Sequence, residues 1–229
     1  MRLGLPSLCL EKTKGFRLIN SKLPPIALFS DVATQDEFED LFELQAMTNP
    51  RLNQDIGNLN YIDLAEIPWG IKGCHYAVAP FTHVSPDGSR FSRGDYGMLY
   101  IADTIETALA EVEYHQGQYL SKIDDLKFDT LTFRGLACTF SGDVMHDATS
   151  LPESHDIYHP DDYSAAQTLG NQLRKACSEG IQYHSVRNSG AKCWGLFTPR
   201  NVQSIVQTAH YEFIVQNGRI TDKRNVRGV

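Results

Sequence analysis

The stretch GSRFSRGDYGMLYIADTIETALAEVEYH, Gly88 to His115, reads as a turn, a buried strand and a capped helix in immediate succession. Pro86-Asp87-Gly88 is a turn signal. Gly97 to Ala102 (GMLYIA) is a nearly continuous apolar run, short enough for a strand covered on both faces. Asp103 stands at a capping position with Glu106 three residues on, and Ile105, Ala108, Leu109 and Val112 follow at helical spacing. A buried strand feeding directly into an amphipathic helix implies a sheet with helices laid against it.

On the N-terminal side, the first thirty or so residues look irregular, and Pro24-Pro25 marks them as an arm or linker. Thr34 and Glu37 have capping-box spacing ahead of Phe38, Leu41 and Phe42, which predicts a helix ended by Asn49-Pro50. Tyr76 to Phe81 reads as a strand. On the C-terminal side, Phe128 to Phe140 alternates like a strand, with Gly135 at a bulge or turn. Pro160 is placed to open a helix whose inner face is Tyr163, Ala166, Leu169, Leu173 and Ala176, stopped by Gly180. Ile181 to Val186 and Lys192 to Thr198 read as two strands joined by Arg187-Asn188-Ser189-Gly190. Asn217-Gly218 between apolar runs is a hairpin signal. The expected class is α+β, a mixed sheet with flanking helices. The expected division is an N-terminal arm and helical extension over 1–70, a main domain over 71–220 and a tail over 221–229.

Composition narrows the partners. Hydrophobic residues are 41% of the 229, enough to bury a core. The net charge of -7 argues against wholesale binding to nucleic acid or anionic lipid. The five cysteines, Cys9, Cys74, Cys138, Cys177 and Cys193, show no CxxC spacing, so neither a disulfide framework nor a zinc site is expected. No apolar run reaches the length of a membrane span, and the opening residues are too broken for a signal peptide. The cytoplasm is the expected location.

Residue chemistry alone leaves each candidate open. Glu111 and His115 share one side of the helix, beside the apolar stripe, where a carboxylate can face a cleft; spacing by itself favours a solvated pair. Arg90 lies beside small residues in a Gly-Ser-Arg-Phe turn. Its guanidinium fork suits phosphate or carboxylate, although a surface arginine fits as well, and Arg93 shares that ambiguity. Tyr100 inside the apolar strand is either a core tyrosine or a ring opening on a cleft. Ser185 has no GxSxG surroundings, which disfavours a hydrolase nucleophile and leaves a ligand-positioning hydroxyl or an ordinary strand serine. There is no GxGxxG, GxxxxGKS/T or HExxH, and no histidine cluster for a metal.

Taken together, the stretch resembles the core of RES-domain proteins, the toxin halves of RES–Xre toxin–antitoxin pairs. Arg90 matches the arginine of the Gly-x-Arg-Phe turn, Glu111 the glutamate of Glu-Thr-Ala-x-x-Glu, and Ser185 the serine of Tyr-x-Ser-Val-Arg. Tyr100, in Leu-Tyr-Ile-Ala, matches a tyrosine expected in the pocket. TNPR (Thr48 to Arg51), FTH (Phe81 to His83), PDDYSAAQTLG (Pro160 to Gly170) and GIQYHSVRNSGAKCWGLFTPR (from Gly180) look like family segments too, so the similarity runs from about Phe29 to Ile220. Arg93 departs from the acidic or small residue expected there.

The resemblance implies an ADP-ribosyltransferase-like fold and an enzyme that cleaves the nicotinamide–ribose bond of NAD. Transfer to inorganic phosphate would give ADP-ribose 1″-phosphate; hydrolysis of NAD and modification of a protein are the alternatives, and a degenerate antitoxin-binding module is a rival of another class. The implied catalytic set is Arg90, Tyr100, Glu111 and Ser185, with Phe91, His115 and Arg187 joining Arg90 and Tyr100 in substrate binding. NAD is a substrate, not a cofactor, and no metal is required. The implied partner is an Xre-type helix-turn-helix antitoxin, with no membrane and no direct nucleic-acid binding.

Overall fold

A computed structural model of the protein describes residues 4–23, 26–29, 32–47, 49 and 51–226. The Pro24-Pro25 pair, and the Thr48 and Pro50 of TNPR and of the expected helix stop, lie outside the described residues.

The first element corrects the expectation of an irregular arm. Ser7–Asn20 is a strand, β1, antiparallel to β3 (Phe128–Asp147) from Ser7↔His146 to Asn20↔Phe133. Glu11, Lys12 and Lys14 interrupt its hydrophobic pattern, but they sit at exposed positions, while Phe16 and Leu18 turn inward. The strand owes its place to a ladder partner more than a hundred residues away, which local pattern does not announce.

The helix α1 (Gln35–Ala46) is capped as expected: Thr34 Oγ1 accepts from the Glu37 N–H at 3.2 Å, and Glu37 reaches back to the Ala33 N–H at 2.7 Å. A one-turn helix, α2 (Leu52–Ile56), follows. Tyr76 to Phe81 is not a strand but part of α3 (Cys74–Thr82). Its buried residues Cys74, Ala77, Val78 and Phe81 fall at helical spacing. A short apolar run cannot reveal its period when the sheet and a neighbouring cluster cover most of it.

β2 (Leu99–Ala102) leads into α4 (Ile105–Leu120) as the sequence implies, with the cap displaced by one residue. Thr104, not Asp103, accepts from the Thr107 N–H, at 3.1 Å. Asp103 instead accepts from the Thr107 hydroxyl at 2.7 Å and the Lys192 N–H at 2.8 Å, tying the helix start to β5 (Lys192–Leu196). Gly135 sits at a register shift between β3 and β6 (Val202–Gln216), the expected bulge. α5 (Ser164–Lys175) starts four residues beyond Pro160, and Gly180 opens β4 (Gly180–His184) rather than ending the helix; Cys177, at φ 55°, makes that turn. Asn217 and Gly218, at φ 49° and 73°, form the hairpin to β7 (Arg219–Val226).

The seven strands form one mixed sheet in the order β1-β2-β5-β4-β3-β6-β7. Because β1 also pairs with β3, the first five strands close on themselves. β3 and β4 are parallel and the other neighbours antiparallel. The chain is therefore α+β, as expected. The closure is weakest between β1 and β2, which share only the Phe16↔Ala102 register pair before they diverge. One face of the sheet packs α4, α5 and the segment around Tyr158; the other packs α3, whose outer side carries a helical cluster around Phe29 and Phe38. The site lies on the first face, at the divergence.

Candidate active site

Glu111 is brought inward by α4. Ala108, Glu111, Val112 and His115 form one stripe of that helix and line a cavity of about 350 Å³. Opposite them are Phe16 to Leu18 of β1, Tyr100 of β2, and Ser89 and Arg90 from the turn.

Glu111 is held from the far strand. Ser185, just past β4, donates to Glu111 Oε1 at 2.6 Å. The same Ser185 oxygen accepts the N–H groups of Arg187 and Asn188, at 3.2 and 3.1 Å. The Asn188 carboxamide donates to the Thr107 hydroxyl at 2.9 Å, which closes the link between the loop and α4. Glu111 therefore has one oxygen fixed, while Oε2 takes no donor among the described residues.

The Tyr100 hydroxyl is equally positioned. It meets Ser89 Oγ at 2.8 Å and accepts the Phe91 N–H at 3.0 Å. Burial pushes its pKa up to about 12, against the smaller opposing effects of these two hydrogen bonds and of Arg90 and Arg17. It is a neutral phenol at physiological pH.

Arg90 is 8% exposed and half committed. One terminal nitrogen donates to the carbonyls of Ile157 and His159, both at 3.1 Å, and the guanidinium lies over the Tyr163 ring at 4.5 Å. Its other nitrogens have no acceptor among the described residues. The turn is itself clamped: the Gln167 carboxamide of α5 donates to the carbonyls of Ser89 and Ser92, at 3.1 and 3.3 Å.

Of the residues named for substrate binding, His115 and Arg90 line the cavity. The Phe91 ring does not; it is fully buried, edge-on to Tyr183 at 4.9 Å. Arg187 packs on the Tyr114 ring and donates to the Pro160 carbonyl, which pins the same 157–163 segment that Arg90 holds. Arg93 reaches Thr168 on the surface at 3.3 Å. His115 sits at the mouth. Burial against its neighbours, aided by Arg187 and Arg90 and opposed by Glu111, holds its pKa below the usual histidine value.

Sequence reasoning missed Arg17. It lines the cavity from β1 and donates to the Tyr100 carbonyl at 2.9 Å, across the gap where β1 and β2 part. Burial works against its charge, yet a guanidinium stays protonated. Among the described residues no carboxylate pairs with Arg17, Arg90 or Arg187. The overlooked signal was a cation inside an apolar run, Phe16-Arg17-Leu18-Ile19. Among the described residues no group of histidine, cysteine and acidic side chains is arranged to hold a metal.

These features define an α+β protein with a cavity in which a fixed carboxylate faces two guanidinium groups that have no carboxylate partner among the described residues. The chain belongs to the RES domain family, whose model matches residues 67–216. The uncharacterized protein y4oC of Sinorhizobium fredii (strain NBRC 101917 / NGR234) is 27% identical over 212 residues, covering 92% of this chain and 86% of that protein. The crystal structure of the M. tuberculosis MbcT–MbcA toxin–antitoxin complex superposes with a TM-score of 0.41 at 10% identity, over 88% of this chain and 87% of that one. Among the described residues no helix is long and apolar enough to cross a membrane.

Proposed function

We propose that the protein cleaves the nicotinamide–ribose bond of NAD and transfers the ADP-ribose to inorganic phosphate, as the toxin of a toxin–antitoxin pair. The observation that carries this reading is the Ser185–Glu111 pair facing Arg17, Arg90 and Tyr100 across one cavity. In this reaction the C1″–N bond breaks and its electron pair neutralises the pyridinium. C1″ gains positive charge and then bonds a phosphate oxygen, and a proton is released. A carboxylate beside the ribose stabilises that charge where it develops.

Each side chain then has a task. Glu111 supports the ribose cation, with Oε2 free to accept from a ribose hydroxyl. Ser185 keeps Oε1 engaged and aims the carboxylate. The neutral Tyr100 ring orients the ribose or the nicotinamide. Arg17 and Arg90 answer the charge of the pyrophosphate and of the incoming phosphate. Since the leaving group is already cationic, no general acid or metal is required. The fold this implies is ADP-ribosyltransferase-like, the setting is the cytoplasm, and an Xre-type helix-turn-helix antitoxin would block the cavity.

The test is to mix purified protein with NAD, with and without phosphate, and to follow nicotinamide and the sugar product. Phosphate-dependent nicotinamide release with ADP-ribose 1″-phosphate is the expected result. Release without phosphate makes water the acceptor, and label from NAD on lysate protein makes a protein the acceptor. Absence of nicotinamide release under every condition sinks the enzyme reading.

A further inference from the structure

Arg17 also lines a second chamber of about 780 Å³, walled by α2, α3 and the end of β1. A smaller space, lined by Arg17, Pro80, His83, Ser89 and Tyr100 among others, shares lining residues with both chambers. We propose that this second chamber is the binding site for the adenosine end of the dinucleotide, built largely by residues 51–83. The proposal rests on the NAD reading for the identity of the whole substrate, and its own observations are independent of the cleavage chemistry.

Size and position carry the argument. The chamber that holds Glu111 is near the lower end for a small-ligand pocket, whereas a dinucleotide has two nucleoside halves. With the reacting ribose at Glu111, the other half must leave that chamber. Arg17 lines both chambers and has no carboxylate partner among the described residues, so it is where a pyrophosphate spanning the two would gain most. A half of the substrate seated in the second chamber is the part that does not react, since Glu111 lines only the first.

The chamber's own chemistry fits a nucleoside. Ile19, Leu23, Ile26 and Ala79 supply apolar surface. His75 and Tyr76 bring flat rings, their centroids 3.8 Å apart. Tyr76 is held from behind by Arg134, which donates to its hydroxyl at 3.3 Å. On the exposed rim, Gln54 and Asp55 offer acceptors for a purine amine, Gln54 adds a donor for a ring nitrogen, and Arg51 offers a cation. The rim is tied to α3, since His83 Nε2 meets the Asp55 carbonyl at 3.1 Å.

The test is calorimetric binding of AMP, which lacks the scissile bond and so reads the chamber alone. Wild-type protein and Glu111→Gln are expected to bind AMP alike. The double variant Gln54→Ala/Asp55→Ala, with both changes on the exposed rim, is expected to bind it about tenfold more weakly, the loss of roughly one good hydrogen bond. In cleavage assays the same variant should raise KM for NAD and leave cleavage of nicotinamide mononucleotide unchanged, because that substrate lacks the adenylyl half. AMP that fails to bind, that binds the double variant as tightly as wild type, or that is weakened by Glu111→Gln instead overturns the proposal. If AMP binding follows the prediction but no NAD is cleaved, the function proposed above fails and the chamber assignment stands.

Discussion

On the function proposed above the residue that matters most is Glu111, and its neighbours define what can be asked of it. Glu111→Ala removes the one carboxylate that lines the 350 Å³ cavity among the described residues, and we expect NAD turnover to fall by about three orders of magnitude or more. The melting temperature should change little, because the side chain faces the cavity; turnover near wild type would remove Glu111 from its role. Ser185→Ala leaves Glu111 in place but frees its fixed oxygen and strips an acceptor from two backbone N–H groups. We expect kcat to drop about ten- to a hundredfold, with a stability loss of about 1–2 kcal/mol by denaturant unfolding. A loss of stability with kcat intact would make Ser185 a loop cap alone. His115 sets a pH dependence. Its folded pKa lies below the ordinary value, so it is neutral at pH 7. As pH falls through about 6.5, the unfolded chain takes up this proton first, so the fold loses stability on the acid side. On the proposed mechanism, an imidazolium at His115 would compete with the ribose cation for Glu111. Cleavage should therefore decline in acid, and His115→Gln should flatten that decline.

At the scale of the elements, the site depends on how closely α5 approaches the Gly88–Ser92 turn. Gly170 on α5 packs against the Phe91 backbone so tightly that a Cβ would overlap the Phe91 carbonyl. Here glycine serves as the smallest residue in a helix, not as a turn-former. Gly170→Ala is expected to push α5 from the turn, loosening the Gln167 clamp and displacing Arg90. The expected result is a destabilisation of about 2 kcal/mol or more with a raised KM for NAD. An unchanged melting curve would mean that the helix can slide at no cost. The 157–163 segment belongs to the same unit. Arg90 and Arg187 both hold its carbonyls, so these two arginines spend part of their donor capacity on architecture.

For the whole molecule, the informative feature is the strand outside the matched family segment. β1 completes the closed part of the sheet and carries Arg17 into the cavity. A chain beginning at residue 67 would expose one edge of β3 and open the wall of the site. We expect such a chain to aggregate or to lack a cooperative unfolding transition by circular dichroism. A folded, active truncated protein would show that β1 is dispensable.

Much of this was legible in the residues themselves. The turn, strand and helix of Gly88 to His115, the α1 cap, the Gly135 bulge, the β4–β5 pair and the Asn217-Gly218 hairpin depend on local signals: capping side chains, period and positive φ. Glu111 and Ser185 could be named from sequence as similar to a family pattern, although spacing alone favoured plainer roles. Only the tertiary structure decided the rest. β1 reads as irregular because its partners lie far along the chain. α3 hides its period because both sides are apolar. The thr-for-asp change of cap at α4 arose because Asp103 was claimed by the Lys192 N–H. Arg17 acquires its place because β1 and β2 part beside Tyr100, and no local pattern records where two distant strands diverge.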